Sequence, residues 1–138
     1  MEPIKVRDYM ARQPITFTPD MSLTAALDKV IKSENLGGPV VDAAGNVVGY
    51  VSEQDLLEKL IKVSYYCQDT HIVNDCMHKE VLSVSPDLGI IELAEMMKVG
   101  KPKVYPVIEN GKLLGIITRR DVLRAISKNL DACFKHPV

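Results

Sequence analysis

The chain writes one pattern twice, and that repeat constrains its fold more than any other feature. Val6-Arg7-Asp8-Tyr9-Met10 returns 67 positions later as Val73-Asn74-Asp75-Cys76-Met77. At the same spacing Thr18-Pro19-Asp20 becomes Ser85-Pro86-Asp87, and Pro39-Val40-Val41 becomes Pro106-Val107-Ile108. A turn then loses one residue, since Asp42-Ala43-Ala44-Gly45-Asn46 answers Glu109-Asn110-Gly111-Lys112. From there the spacing is 66: Gly49 matches Gly115, Ser52 matches Thr118, and Asp55 matches Asp121. Landmarks kept in order with a single gap mark two copies of one unit. With 138 residues for both, each copy holds half a core and is expected to bury it against its twin.

Each copy reads as strand, helix, strand, strand, helix. Ile15-Thr16-Phe17 and Leu82-Ser83-Val84 are strand candidates closed by the Pro-Asp that follows. Asp20 and Asp87 are candidate caps for the next helix. Leu23, Ala26, Leu27, Val30 and Ile31 form an amphipathic stripe, as do Ile90, Leu93, Ala94 and Met97. Val40-Val41 and Val47–Val51 flank Gly45-Asn46, and Tyr105–Ile108 and Leu113–Ile117 flank Asn110-Gly111, a hairpin signal. A second helix starts at Ser52 or Thr118 and carries Leu56, Leu57 and Leu60, or Val122, Leu123 and Ile126. Residues 61–66 extend the first of these helices, whereas the tail from Lys128 has no clear period. The division is 1–62, a linker at 63–72, 73–127, and a tail at 128–138.

Charge is nearly balanced, with 17 basic against 18 acidic residues and no Trp, which argues against a nucleic-acid partner. No apolar run reaches the roughly 18–20 residues of a membrane span. Met1-Glu2-Pro3-Ile4-Lys5 lacks the profile of a secretory signal, and three cysteines outside any Cys-x-x-Cys pair suit a reducing compartment, so the cytoplasm is expected.

Val-x-Asp-hydrophobic-Met opening a unit, Pro-Val within it, and Gly-hydrophobic-hydrophobic-Ser/Thr-x-x-Asp before its last helix together resemble the CBS (cystathionine-β-synthase-type) motif. The last element reads Gly49-Tyr50-Val51-Ser52-Glu53-Gln54-Asp55, then Gly115-Ile116-Ile117-Thr118-Arg119-Arg120-Asp121. The resemblance covers residues 4 to 127. It implies an α/β fold of two pseudo-symmetric βαββα units packed through their sheets, with a ligand cleft between them. It also implies a regulatory, non-catalytic module that binds AMP, ADP, ATP or S-adenosylmethionine, forms a homodimer and acts on a separate effector protein.

The residues support such chemistry on their own terms. A helix start offers free N–H groups to a phosphate, and an aspartate three residues on offers two oxygens to ribose hydroxyls. Thr118 with Asp121, and Ser52 with Asp55, are the candidate pairs. Adenine needs an apolar slot with backbone partners, which Val104-Tyr105-Pro106-Val107 could line, with Pro39 as the counterpart of Pro106. Thr16 and Ser83 are further candidates. Copy two places Arg119 and Arg120 where copy one has Glu53 and Gln54, so a phosphorylated ligand is expected at Thr118 and Asp121. The site of Ser52 and Asp55 is expected to stay empty or to take an uncharged or cationic group.

Ser/Thr-x-x-Asp also matches a capping box, which needs no ligand. Cys67, His71, Cys76 and His78 could suggest zinc, but their spacing fits no common motif, and no metal is expected. His71, His78 and His136 are placed outside both candidate pockets, which leaves catalysis without a base. The rival to ligand binding is a ligand-independent dimerisation module, with Ile90, Leu93, Met96 and Met97 among the apolar residues available to a partner.

Overall fold

The computed structural model describes residues 4–33, 35–66 and 71–135. The elements run in the predicted order: α1 (Leu23–Ser33), β1 (Gly37–Val41), β2 (Val47–Ser52), α2 (Glu53–Tyr66), α3 (Ile90–Met96), β3 (Val104–Glu109), β4 (Lys112–Thr118) and α4 (Arg119–Lys135). Hairpins β1–β2 and β3–β4 form two separate two-stranded sheets. Asn110 and Gly111 turn the second hairpin with positive φ of 54° and 79°, the two left-handed positions an Asn-Gly turn supplies. Among the described residues no helix is long and apolar enough to cross a membrane.

The expected first strands shrink to one residue each. Phe17 makes a parallel bridge to Val40, and Val84 one to Val107. Each is held by two backbone bonds: Val41 N–H donates to Phe17 and Phe17 N–H to Pro39, as Ile108 N–H does to Val84 and Val84 N–H to Pro106. The Pro-Asp that follows so closely leaves no length for a ladder.

Two compact units result, and they do not follow the chain in simple order. One gathers residues up to Gln13 with Leu82–Asn110 and the chain from Leu114 on; the other gathers Pro14–Val81 with the turn Gly111–Leu113. Each opening motif therefore packs into the unit built by the other copy's hairpin. Val6 and Met10 join Val84, Ile90, Leu93, Tyr105, Val107, Ile117, Val122 and Ala125 in one core, here called the Tyr105 unit. Val73 joins Phe17, Leu23, Ala26, Val30, Val40, Val51 and Leu56 in the other, the Phe17 unit.

The opening motifs are single 3-10 turns, Val6–Asp8 and Val73–Asp75. Their aspartates accept from the backbone N–H three residues earlier, Lys5 to Asp8 at 3.0 Å and Ile72 to Asp75 at 2.9 Å. The next residues pair antiparallel with the last strand of the hairpin: Ala11 with Ile116, and His78 with Tyr50. This explains the glycine of the repeated motif. A Cβ on Gly115 would lie 2.2 Å from the Ala11 carbonyl oxygen, and one on Gly49 would lie 2.8 Å from that of His78.

Three local expectations are corrected. Asp20 does not cap α1, because Ser22 Oγ does so by accepting from Ala25 N–H at 3.2 Å. Asp87 does not cap α3, whose N-cap is Gly89; its carboxylate instead takes Arg7 at 2.7 Å, drawing its own pKa down and raising that of Arg7. Helix α4 runs on to Lys135, through most of the segment read as an aperiodic tail, and leaves Leu130 and Phe134 exposed. In the stripes, Ile31, Leu57 and Leu123 also face outward rather than into their cores.

Candidate functional site

The Tyr105 unit brings Thr118, Arg119, Arg120, Asp121, Tyr105, Pro106 and Ser83 onto elements of one core. No loop separates β4 from α4, so Thr118 ends the strand and Arg119 opens the helix. Arg119 N–H donates to the Lys103 carbonyl at 2.8 Å, and Val122 and Ala125 anchor the helix in the core. Asp121 is thereby drawn under the surface, 9 % exposed. Its Oδ2 accepts from Thr118 N–H at 2.9 Å and from the Thr118 hydroxyl at 3.0 Å, while Thr118 Oγ1 accepts from Asp121 N–H at 3.2 Å. Asp121 Oδ1 takes the Arg124 guanidinium at 3.2 Å.

The Phe17 unit repeats this arrangement with Ser52, Asp55, Thr16 and Pro39. Glu53 N–H donates to the Leu36 carbonyl at 2.8 Å. Asp55 Oδ2 accepts from Ser52 N–H and from its hydroxyl, both at 2.9 Å, and Ser52 Oγ accepts from Asp55 N–H at 3.1 Å. Asp55 Oδ1 lies 2.9 Å from His78 Nε2. The placement of His78 outside the pockets is thus corrected. Repeat alignment puts Ala11 at the matching place in the other unit, so only one site has an imidazole. His78, Asp55, Cys76 and Lys59 line a cavity of about 630 Å³, in which burial and then the Asp55 charge push the Cys76 thiol up.

Both motifs are therefore genuine capping boxes. The helix start of α4 has fewer free donors than the motif alone suggests, because Lys103 O and Thr118 Oγ1 already take two of its N–H groups. Arg119 is half-buried and Arg120 exposed, whereas Glu53 and Gln54 hold the matching positions. The Tyr105 side chain is only 1 % exposed and belongs to the core, so it is not free to reach a ligand. Pro106 is buried and its carbonyl is taken by Val84 N–H at 3.0 Å, while Ser83 is exposed beside that bridge. Pro39 is buried and Thr16 half-buried, its carbonyl accepting the Lys29 ammonium. Among the described residues no three His, Cys, Asp or Glu side chains are arranged to hold a metal ion. Cys67 and His136 lie outside the described residues, and His71 faces Asp75 at 3.6 Å.

The CBS domain family model matches residues 6–62 and 73–128. The chain belongs to the CBS-domain family. Its tandem CBS pair is 30% identical over 93% of its length to an A-adding tRNA nucleotidyltransferase of Aquifex aeolicus, and 37% identical over 90% to a zinc metalloprotease of Methanocaldococcus jannaschii. It spans only 15% and 32% of those two proteins. Among solved structures, AcuB from Vibrio cholerae matches with a TM-score of 0.82 at 32% identity, covering 97% of both chains. CBSX2, solved in complex with AMP, matches with a TM-score of 0.77 at 30% identity, covering 90% of this chain and 96% of that one. The α/β fold of paired CBS repeats is thereby shared with both.

Proposed function

We propose that this CBS pair is a regulatory module that reversibly binds an adenosine-containing ligand and does no chemistry on it. The bound site is that of Thr118 and Asp121 in the Tyr105 unit. The observation that carries the reading is the pair Arg119 and Arg120 beside a buried aspartate, in a chain 30% identical to one that holds AMP. Guanidinium groups pair phosphate oxygens through parallel hydrogen bonds. Asp121 Oδ1 meets ribose hydroxyls once Arg124 swings away, which its exposed side chain allows. The first copy's site, with Glu53 in the place of Arg119, repels a phosphate and stays empty or takes an uncharged or cationic adenosine derivative.

Binding regulates by its difference in affinity between conformations, and a separate effector protein reads the shift. The exposed apolar residues Ile31, Leu57 and Ile61 on α1–α2, and Ile91, Leu123 and Phe134 on α3–α4, suit burial against a second copy. The module needs no cofactor for this, and the cytoplasm supplies its ligand.

A thermal-shift screen of nucleotide-stripped protein tests the reading. AMP, ADP, ATP, adenosine and S-adenosylmethionine are compared with GTP. At a hundredfold excess over Kd a specific ligand adds about 2.7 kcal/mol. Adenine compounds should raise Tm, GTP should not, and Arg119→Ala with Arg120→Ala should cost phosphorylated ligands far more than adenosine. Folded, unliganded protein that responds to none of them supports the assembly reading instead.

A further inference from the structure

The two CBS copies carry opposite charge at matched positions. Segments 98–103 and 119–128 hold seven basic residues and one acid, Asp121, whereas 31–36 and 53–62 hold three basic and four acidic ones. A net charge of −1 over the whole chain conceals this contrast.

In the Tyr105 unit the cations are gathered by backbone contacts. Lys103 O receives Arg119 N–H at 2.8 Å, which seats the lysine segment against the start of α4. Lys101 N–H donates to Lys98 O at 3.0 Å, a turn that brings these two lysines together. Lys101 is two residues from Lys103, at most about 7 Å of chain. On α4, Arg120, Arg124 and Lys128 recur every four residues, about 6 Å apart along the axis. With Asp131 they line an open groove of about 500 Å³. Among the described residues only Arg124 of this array pairs with a carboxylate. Unpaired like charges held this close create a strong local positive field, which a polyanion relieves.

We propose that this array selects an oligophosphate, held as the triphosphate chain of the adenine nucleotide bound at Thr118 and Asp121. The inference rests on the function proposed above for the place of the nucleotide. Lys98, Lys101 and Lys103 then set the preference for three phosphates over one. Nothing at the matched positions of the other copy could do so.

Titration calorimetry with AMP, ATP and inorganic tripolyphosphate, without divalent cations and at two salt concentrations, tests it. Wild type should bind ATP about tenfold tighter than AMP, as three exposed ion pairs allow, with the advantage shrinking in salt. The Lys98→Gln, Lys101→Gln, Lys103→Gln triple variant should lose that advantage and keep its AMP affinity. Equal affinities for ATP and AMP in wild type overturn the proposal, as does a triple variant weakened alike for both. Tripolyphosphate bound without either nucleotide, and lost in the triple variant, refutes the nucleotide reading but upholds the cation array. Binding of neither ATP nor tripolyphosphate overturns the array itself.

Discussion

Asp55 and Asp121 each use one carboxylate oxygen to close the start of a helix and the other to hold a side-chain nitrogen, His78 in one unit and Arg124 in the other. The cap was legible in Ser/Thr-x-x-Asp, because both partners lie three residues apart. The His78 contact was not. His78 reaches Asp55 only because the second opening motif packs against the first hairpin, a long-range pairing that no local spacing reveals. The same site governs Tyr50, whose hydroxyl is pushed from 10 up to about 12, first by burial and then by the Asp55 charge. A raised folded pKa means that the folded protein keeps a proton which the unfolded chain releases. The resulting stability is complete below about pH 10 and is lost as pH rises through about 12. Denaturant unfolding between those values should show a steep loss in wild type and a shallower one in Tyr50→Phe. Equal slopes would mean that the hydroxyl is solvated.

The hairpins and the second helices were readable from the Gly45-Asn46 and Asn110-Gly111 turns and from apolar stripes, since both signals are local. The first strands were overread: Ile15-Thr16-Phe17 suggested a ladder, but the Pro-Asp that follows stops it after one bridge. The opening motif gave no helical or strand period because it folds as a 3-10 turn and then a lone antiparallel pair. That pairing gives the motif glycines their reason. Gly115→Ala forces a methyl group against backbone at Ala11, which cannot swing aside as a side chain can. It should destabilise by about 1–3 kcal/mol, the usual scale of overpacking, measured by urea unfolding. A variant within a few tenths of wild type would show that residues 11 and 116 separate freely.

At the scale of the molecule the repeat announced two copies of one unit, and the family model matches twice, at 6–62 and 73–128. What the repeat hid was the exchange of opening motifs, for chain order says nothing about which hairpin a turn will cover. Composition misled in a similar way. A near-neutral average masked a basic face confined to one copy, which averages cannot resolve but a residue-by-residue comparison of the copies does. The proposed function rests on that asymmetry, because two sites of one backbone design present a guanidinium pair in one unit and a carboxylate in the other. Amide NMR of the whole chain titrated with AMP measures this most directly. The account predicts saturable shifts at Lys103–Val107 and Thr118–Asp121, with Ser52–Asp55 unmoved. Shifts of equal size in both sets, or centred on Ser52–Asp55, would contradict it.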